Sequence, residues 1–475
     1  MNSTKIQPLT LDPNRLFSAE PTQRAIAKRL YAEIKDLPIV SPHGHTDPRW
    51  FAYNELFGNP TDLLIRPDHY VFRMLYSQGI SLETLGIRTI DGTPTSTDAR
   101  GIWRIFAENY YLFRGTPSSM WLDHVFSDVF GLDKKLNSAT ADMYFDHIGE
   151  ALKTEAFRPR ALFERFNIEC LATTESPLDT LEHHIKIRES GWKGNVITAF
   201  RPDPVTDPDF EGFTDNVRQL GEITGIDTST YAGFLDALRN RRAFFKSLGA
   251  TSTDHGHPTA QTENLSEAAA VALFNTVTKG NCSAVEAAQF RGQMLTEMAA
   301  MSIEDGLVMQ IHPGAHRNHN QFVFNRFGRD KGCDIPSQTN FVNHLKPLLD
   351  KFGNHKDLNI ILFTLDETTY SRELAPLAGH YPSLKLGPSW WFHDSPEGMR
   401  RFREQITETA GFYNTVGFND DTRAFLSIPA RHDVARRMDC VWLAQLVAEH
   451  RLSEQDAAEV AQDLTYNLVK KAYKL

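Results

Sequence analysis

"LPIVSPHGHTDPRW", residues 37–50, joins a short apolar, β-branched run to a polar stretch holding two histidines one residue apart and an aspartate two further on. A run of that length reads as a buried strand, and polar chemistry at its end reads as the rim of a site. The pattern returns seven times: "IECLATTES" near 168, "VITAFRPD" near 196, "GATSTDHGH" near 249, "LVMQIHPGAHR" near 307, "NIILFTLDE" near 359, "LKLGPSWW" near 384 and "NTVGFNDDTR" near 414. Helix-like segments separate most of these runs, among them "SAVEAAQFRGQMLTEMAAMSIED" and "PEGMRRFREQITETAG". Strand then helix, eight times over, is the count of an α/β (β/α)8 TIM barrel, whose active site lies where the C-terminal ends of the strands meet. An open doubly wound sheet would carry a glycine-rich phosphate turn after an early strand, and none is present.

Two interruptions modify the simple barrel. Between the first and second runs lie about 120 residues rich in aromatics and helix formers, far more than a βα connection needs. Residues 1–45 are therefore expected to hold an N-terminal segment and barrel strand one, and residues 46–165 a helical insertion. Residues 166–475 would complete the barrel, with a helical insert near 208–247 and C-terminal helices.

The chain has 475 residues, 41% hydrophobic and 11% aromatic, enough for a large core. Its start, "MNSTKIQPLTLDPNRLF", lacks the basic and apolar segments of a secretory signal, and no window approaches the roughly 20 apolar residues that cross a bilayer. The expectation is a cytoplasmic protein without a membrane partner. A formal net charge of -10 weighs against nucleic acid, so an anionic substrate would need local arginines or a metal to receive it. Cys170, Cys282, Cys333 and Cys440 are too scattered for a disulfide framework or a structural zinc site. A homo-oligomer is an open option, with the aromatic-rich insertion as its contact surface.

Placed at the end of strand one, His43 and His45 can both turn toward the barrel axis if the strand end bends, and together ligate one ion. A carboxylate must complete such a site. The eighth run neighbours the first in a closed barrel and offers Asp420 and Asp421, one expected to face the axis and the other to cap the following helix. Asp47 is assigned to loop architecture before Pro48. Arg423 would stand at the same mouth, presenting a fork suited to a carboxylate or oxyanion. Arg201 ends strand three, and His312, His316, Arg317 and His319 follow strand five, so cations collect at the strand ends of an acidic protein. Asp254, His255 and His257 would add acid–base or supporting groups. In "RPDHYVFRMLYSQGI", Phe72, Leu75 and Tyr76 fit the buried face of a helix, which leaves His69 and Tyr70 free to reach the mouth. Of Trp390 and Trp391, one is expected to wall a sugar pocket and the other to fill space under a loop.

Taken together and in order, "HGH" with "DP", "DHYVFRMLYSQGI", "TTESPLDTLEHH", "FRPD", "DHG", "QIHPGAHRN", "GPSWWFHD" and "DDTRAFLSIPARHDVARRMDC" resemble the uronate isomerases, a branch of the metal-dependent amidohydrolase superfamily. The resemblance spans about residues 41 to 440. It implies that His43, His45 and Asp421 hold a divalent metal, zinc or another ion of that charge, and that His69, Tyr70, Arg201 and Arg423 surround the substrate. His312, Arg317, Trp390 and Trp391 become neighbours of that substrate. The implied reaction is aldose–ketose isomerisation of glucuronate or galacturonate through a cis-enediol, with Tyr70, His69, Asp421 and Arg423 as the catalytic set. Two other readings compete: a hydrolase of the same barrel type, and a sugar-acid binding barrel without turnover. Against the first, the strand-four end "TSTDHGH" has no lysine to bridge a second metal. Against the second, the ligand set is complete.

Overall fold

The computed structural model describes residues 6–475. One parallel sheet runs β1 (Ile39–Ser41), β2 (Ile168–Glu175), β3 (Asn195–Phe200), β4 (Ser252–His255), β5 (Val308–Ile311), β8 (Ile360–Leu362) and β9 (Leu384–Leu386), each strand paired with its neighbour in that order. Between β5 and β8 the chain makes a small antiparallel pair, β6 (Ala315–His316) with β7 (Ile335–Pro336).

The eighth run departs from the expected strand. Its only ladder contact is a parallel bridge, in which Leu386 N–H donates to Asn414 O at 2.9 Å and Val416 N–H to Leu386 O at 3.1 Å. Beyond it, Gly417 turns at φ +78°, where an added Cβ would meet Leu464 O at 2.4 Å, so a side chain there is excluded. The segment nevertheless closes the ring, because His45 N–H donates to Thr422 O at 3.1 Å. The architecture is thus a TIM-barrel-like curled sheet of seven strands, completed by an extended eighth segment.

Side chains alternate across this wall as the pleat requires. On β5, Val308 joins an apolar cluster inside the ring with Val40, Ile361 and Tyr473, while Met309 and Ile311 pack outward with the helices. The phase continues to the strand ends: Ile197 inside predicts Arg201 inside, and Val308 predicts His312. The C-terminal helix Leu468–Tyr473 closes the interior, its buried Tyr473 hydroxyl donating to Gln310 Oε1 at 3.0 Å.

Every regular element between β1 and β2 is a helix, from Pro48–Tyr53 to Pro159–Arg165, and local chemistry explains where those helices begin. Asp47, Asn59, Asp68, Asp98 and Thr116 each accept a backbone N–H at a helix start, three of them just before a proline in the first turn. The helices share one apolar cluster with the barrel: Phe51, Phe72, Trp103 and Phe126 belong with Ile39, Ile168 and Leu171 of β1 and β2. Helices Phe213–Thr224 and Tyr231–Ser247 fill the second interruption. Among the described residues no helix is long and apolar enough to cross a membrane. All four cysteines are unpaired.

Candidate active site at the barrel mouth

At the C-terminal ends of the strands lies a cavity of about 710 Å³, bordered by each of His43, His45, His69, Tyr70, Arg201, His312, Arg317, Trp390, Trp391, Asp421 and Arg423.

One corner gathers metal-ligand chemistry. His43 and His45 reach it because β1 ends at Ser41 and the chain bends. Asp421 Oδ1 stands 3.4 Å from His43 Nε2 and 3.1 Å from His45 Nε2. That oxygen is buried without an aligned hydrogen bond, and one ligand atom from each residue lies within 4.8 Å of the others. Two imidazoles and an unsatisfied carboxylate oxygen converging on one point fit a divalent cation. The other Asp421 oxygen accepts from Trp390 Nε1, which orients the carboxylate. Burial opposes charge on Asp421, but His43, His45 and His312 outweigh it and hold the carboxyl below the usual range. Burial also lowers His45, against the pull of Asp421. Asp421 itself sits at φ +39°, an unfavourable backbone for a residue with a side chain, here held by its surroundings.

Asp420 does not cap a helix. It is buried and accepts from His432 Nε2 at 3.0 Å, because the chain bends away before helix Ile428–Ala448, whose flanking residue is Ser427. Asp47 caps the short helix Pro48–Tyr53 by accepting Arg49 N–H at 2.9 Å.

The opposite wall is cationic. Arg201 donates through Nε to Asp203 at 2.8 Å and through Nη1 to Asp254 at 3.0 Å, which leaves its remaining N–H groups for a ligand. Burial opposes the Arg201 charge, but Asp254 and Asp203 reverse that effect and raise its pKa. Asp254 also accepts from His312 Nδ1 at 2.8 Å, and the His312 ring stacks on His43 at 4.8 Å, tying the two walls together. Arg317 donates to Asp334 at 3.0 Å and lies 5.0 Å over the Trp391 ring. Arg423 contacts Asp330 at 3.2 Å with both side chains half exposed.

His69 and Tyr70 open the helix His69–Tyr76, capped by Asp68. The His69 ring lies parallel to Trp391 at 6.1 Å. Burial first, then Arg423 and Arg73, lower its pKa to about 3, so the imidazole is neutral at pH 7. Trp391 adopts φ +52°, a second strained residue at this rim, and both tryptophans face the cavity, so neither is only a filler beneath a loop.

Some expected residues lie elsewhere. His255 and His257 are buried outside the cavity, since β4 alternation sends Asp254 inward and His255 outward, where it meets Thr253 Oγ1 at 2.9 Å. His316 borders the cavity, whereas His319 is exposed away from it. Conversely, Glu175, Asp203 and Asp330 line the cavity without having been singled out. Glu175 ends β2 in phase with the outward-packed Leu171, and Asp203 opens the helix Asp203–Thr206 beyond β3, so strand alternation points to neither. Burial pushes the Glu175 carboxyl up to about 8. Asp330 arrives on a long excursion between β6 and β7, which no local pattern announces.

Comparison with known proteins places this geometry. A family model described as glucuronate isomerase matches residues 19–473. The uronate isomerase of Mesorhizobium japonicum is 66% identical over 464 residues, covering 98% of this chain and 99% of that protein. The crystal structure of glucuronate isomerase from Caulobacter crescentus superposes with a TM-score of 0.97 at 63% identity over 98% of each chain. That of uronate isomerase from Thermotoga maritima superposes at 0.90 with 28% identity, over 98% of this chain and 99% of that one. With a family model matched along nearly its whole length and relatives this similar in both sequence and structure, the chain belongs to the uronate isomerase family.

Proposed function

We propose that this cavity interconverts a uronic acid aldose and its ketose, glucuronate with fructuronate and galacturonate with tagaturonate, in the cytoplasm. The observation that carries the reading is the juxtaposition, in one cavity, of a His-His-Asp corner with separately anchored arginines. A sugar acid needs both a carboxylate receptor and a group that stabilises charge on its carbonyl oxygen.

His43, His45 and Asp421 would hold a divalent ion, zinc by the chemistry of the donor set. When bound, that ion supplies positive charge to the substrate's carboxylate and a neighbouring hydroxyl. Arg201, braced by Asp203 and Asp254, receives the same carboxylate through its free N–H groups. Arg423 stabilises the oxyanion that develops at O1. His69, neutral at pH 7, takes the proton from C2 and returns it to C1. As the C1–O1 double bond opens, Tyr70 gives its proton to O1. The resulting phenolate recovers a proton from the O2 hydroxyl as the C2 carbonyl forms. Trp390 and Trp391 exclude water from the enediol.

The hydrolase reading draws no support from this cavity, whose walls contain arginines and no lysine. The test is incubation of purified protein with glucuronate and with galacturonate, with and without added zinc, following ketose by NMR. Ketose is expected from at least one; its absence from both, with zinc present, refutes the proposal.

A further inference from the structure

Tyr70 faces the cavity, and among the described residues no protein group hydrogen-bonds its hydroxyl. Its ring, however, is held by charge. The guanidinium carbon of Arg73 stands 5.1 Å from the ring centroid and that of Arg431 stands 5.6 Å from it.

The two arginines differ in their other partners. Arg431 is buried and matched, donating through Nη1 to Asp394 at 2.6 Å and through Nε to Ser427 Oγ at 3.1 Å. Arg73 is half buried and has no ion-pair partner among the described residues; its other neighbour is the Phe392 ring, 4.7 Å from the guanidinium carbon. Nor does Arg73 border the cavity, so it acts on the substrate only through neighbouring groups: the Tyr70 ring it faces and the His69 imidazole, whose pKa it helps to lower. A cation over an aromatic face is attracted by the ring's negative quadrupole, and more strongly once the ring oxygen carries a full negative charge.

We propose that Arg73 is a positioning residue for the isomerisation, keeping an unpaired positive charge over the Tyr70 ring that stabilises the phenolate formed when Tyr70 protonates O1. The proposal rests on the reading of Tyr70 as the hydroxyl-proton carrier. In that step the Tyr70 O–H bond breaks as the O1–H bond forms, and the proton later returned to the phenolate comes from the O2 hydroxyl, so protons and charge balance without a further reactant.

The surroundings of Tyr70 show why such a charge is needed. Burial pushes the phenol up, and Asp394 and Asp421 push the same way. Arg431 and Arg73 oppose them. Asp394 comes from the segment after β9, Asp421 from the eighth segment and Arg431 from helix Ile428–Ala448, while His69 and Arg73 share the helix of Tyr70. Asp394 pairs directly with Arg431, whereas Asp68, the cap of the Tyr70 helix, acts on Arg73 through its charge without reaching ion-pair distance, so Arg73 is the less compensated of the two cations.

The experiment uses the full chain with added zinc, in Arg73→Met and Arg73→Lys variants, with Arg73→Gln as a second charge-free variant should Arg73→Met not fold. Turnover is measured against pH. In parallel, trifluorotyrosine, whose phenol is far more acidic, is placed at position 70 and titrated by fluorine NMR. Arg73→Met is expected to lower kcat about tenfold with KM within about twofold, and to raise the fluorotyrosine titration by about one pH unit, the size a desolvated cation over a ring can supply. Arg73→Lys should restore kcat to within about threefold of the parent. An unmoved titration in the charge-free variant, or a lysine variant as slow as the methionine one, overturns the proposal and leaves Arg73 as packing only. Tyr70→Phe separates the two layers: full turnover in it refutes the proton-carrier reading itself, whereas an inactive Tyr70→Phe with an unmoved titration refutes Arg73 alone.

Discussion

Replacing Asp254 with asparagine removes one negative charge at almost constant volume. Asp254 is fully buried and accepts two charge-assisted hydrogen bonds, from Arg201 Nη1 at 3.0 Å and from His312 Nδ1 at 2.8 Å. Each such bond contributes about 1.5–3 kcal/mol, and the amide retains one acceptor oxygen while presenting an N–H₂ donor to the other partner. Losing one bond and facing a donor with a donor costs about 3–5 kcal/mol, the range for breaking a buried ion pair. That is a large part of the roughly 5–15 kcal/mol that holds a domain folded. Asp330→Asn is the contrast: the Asp330–Arg423 pair is half exposed and screened, so its loss should change stability by no more than about 0.5 kcal/mol. Urea unfolding of both variants, with the slope m unchanged, measures the difference. The pH dependence has a definite sign. Burial would raise the Asp254 carboxyl, but Arg201 first, then His312 and His43, hold it well below its ordinary value. A depressed carboxyl contributes stability that is fully present above the unfolded value near about 4 and is lost as pH falls toward the folded one. The gap between parent and Asp254→Asn should therefore narrow on acidification. A loss under about 1 kcal/mol at pH 7 would refute the inference that this carboxylate braces the cavity.

His45→Asn should abolish tight zinc retention after dialysis, because two of about four ligands cannot hold the ion, while Asp47→Ala should keep the metal and lose only about 1 kcal/mol of stability with its helix cap. Elemental analysis decides between them, and metal lost from Asp47→Ala instead would reverse the assignment of the two residues. Arg423→Lys retains the charge but not the fork and should lower kcat by about 100-fold; turnover near that of the parent would rule out its oxyanion role.

How much of this site could be read in advance depended on what positions each residue. Arg201 and His312 lie just past strands whose inward phase is set by Ile197 and Val308, and Asp254 lies within β4 in phase with Ser252, so counting by twos along each strand finds them. His43 and His45 required a bend, and the paired histidines pointed to it. Asp420 and Asp421 resisted such counting, because Gly417 breaks the extended run before them and Asp421 is itself left-handed. The expected strand, and the expected helix cap with it, gave way to a buried Asp420–His432 pair.

By itself, then, the sequence determined the barrel, the ends of its seven paired strands and the histidine pair at the first of them, since side-chain alternation is a local property of the pleat and histidine chemistry travels with the residue. Only the tertiary structure decided which aspartate turns inward, that Asp330 meets Arg423 from 93 residues away, and that Arg73 stands unpaired between the Tyr70 and Phe392 rings. Those contacts arise from packing between segments distant in the chain, where neither periodicity nor capping chemistry carries information about the partner.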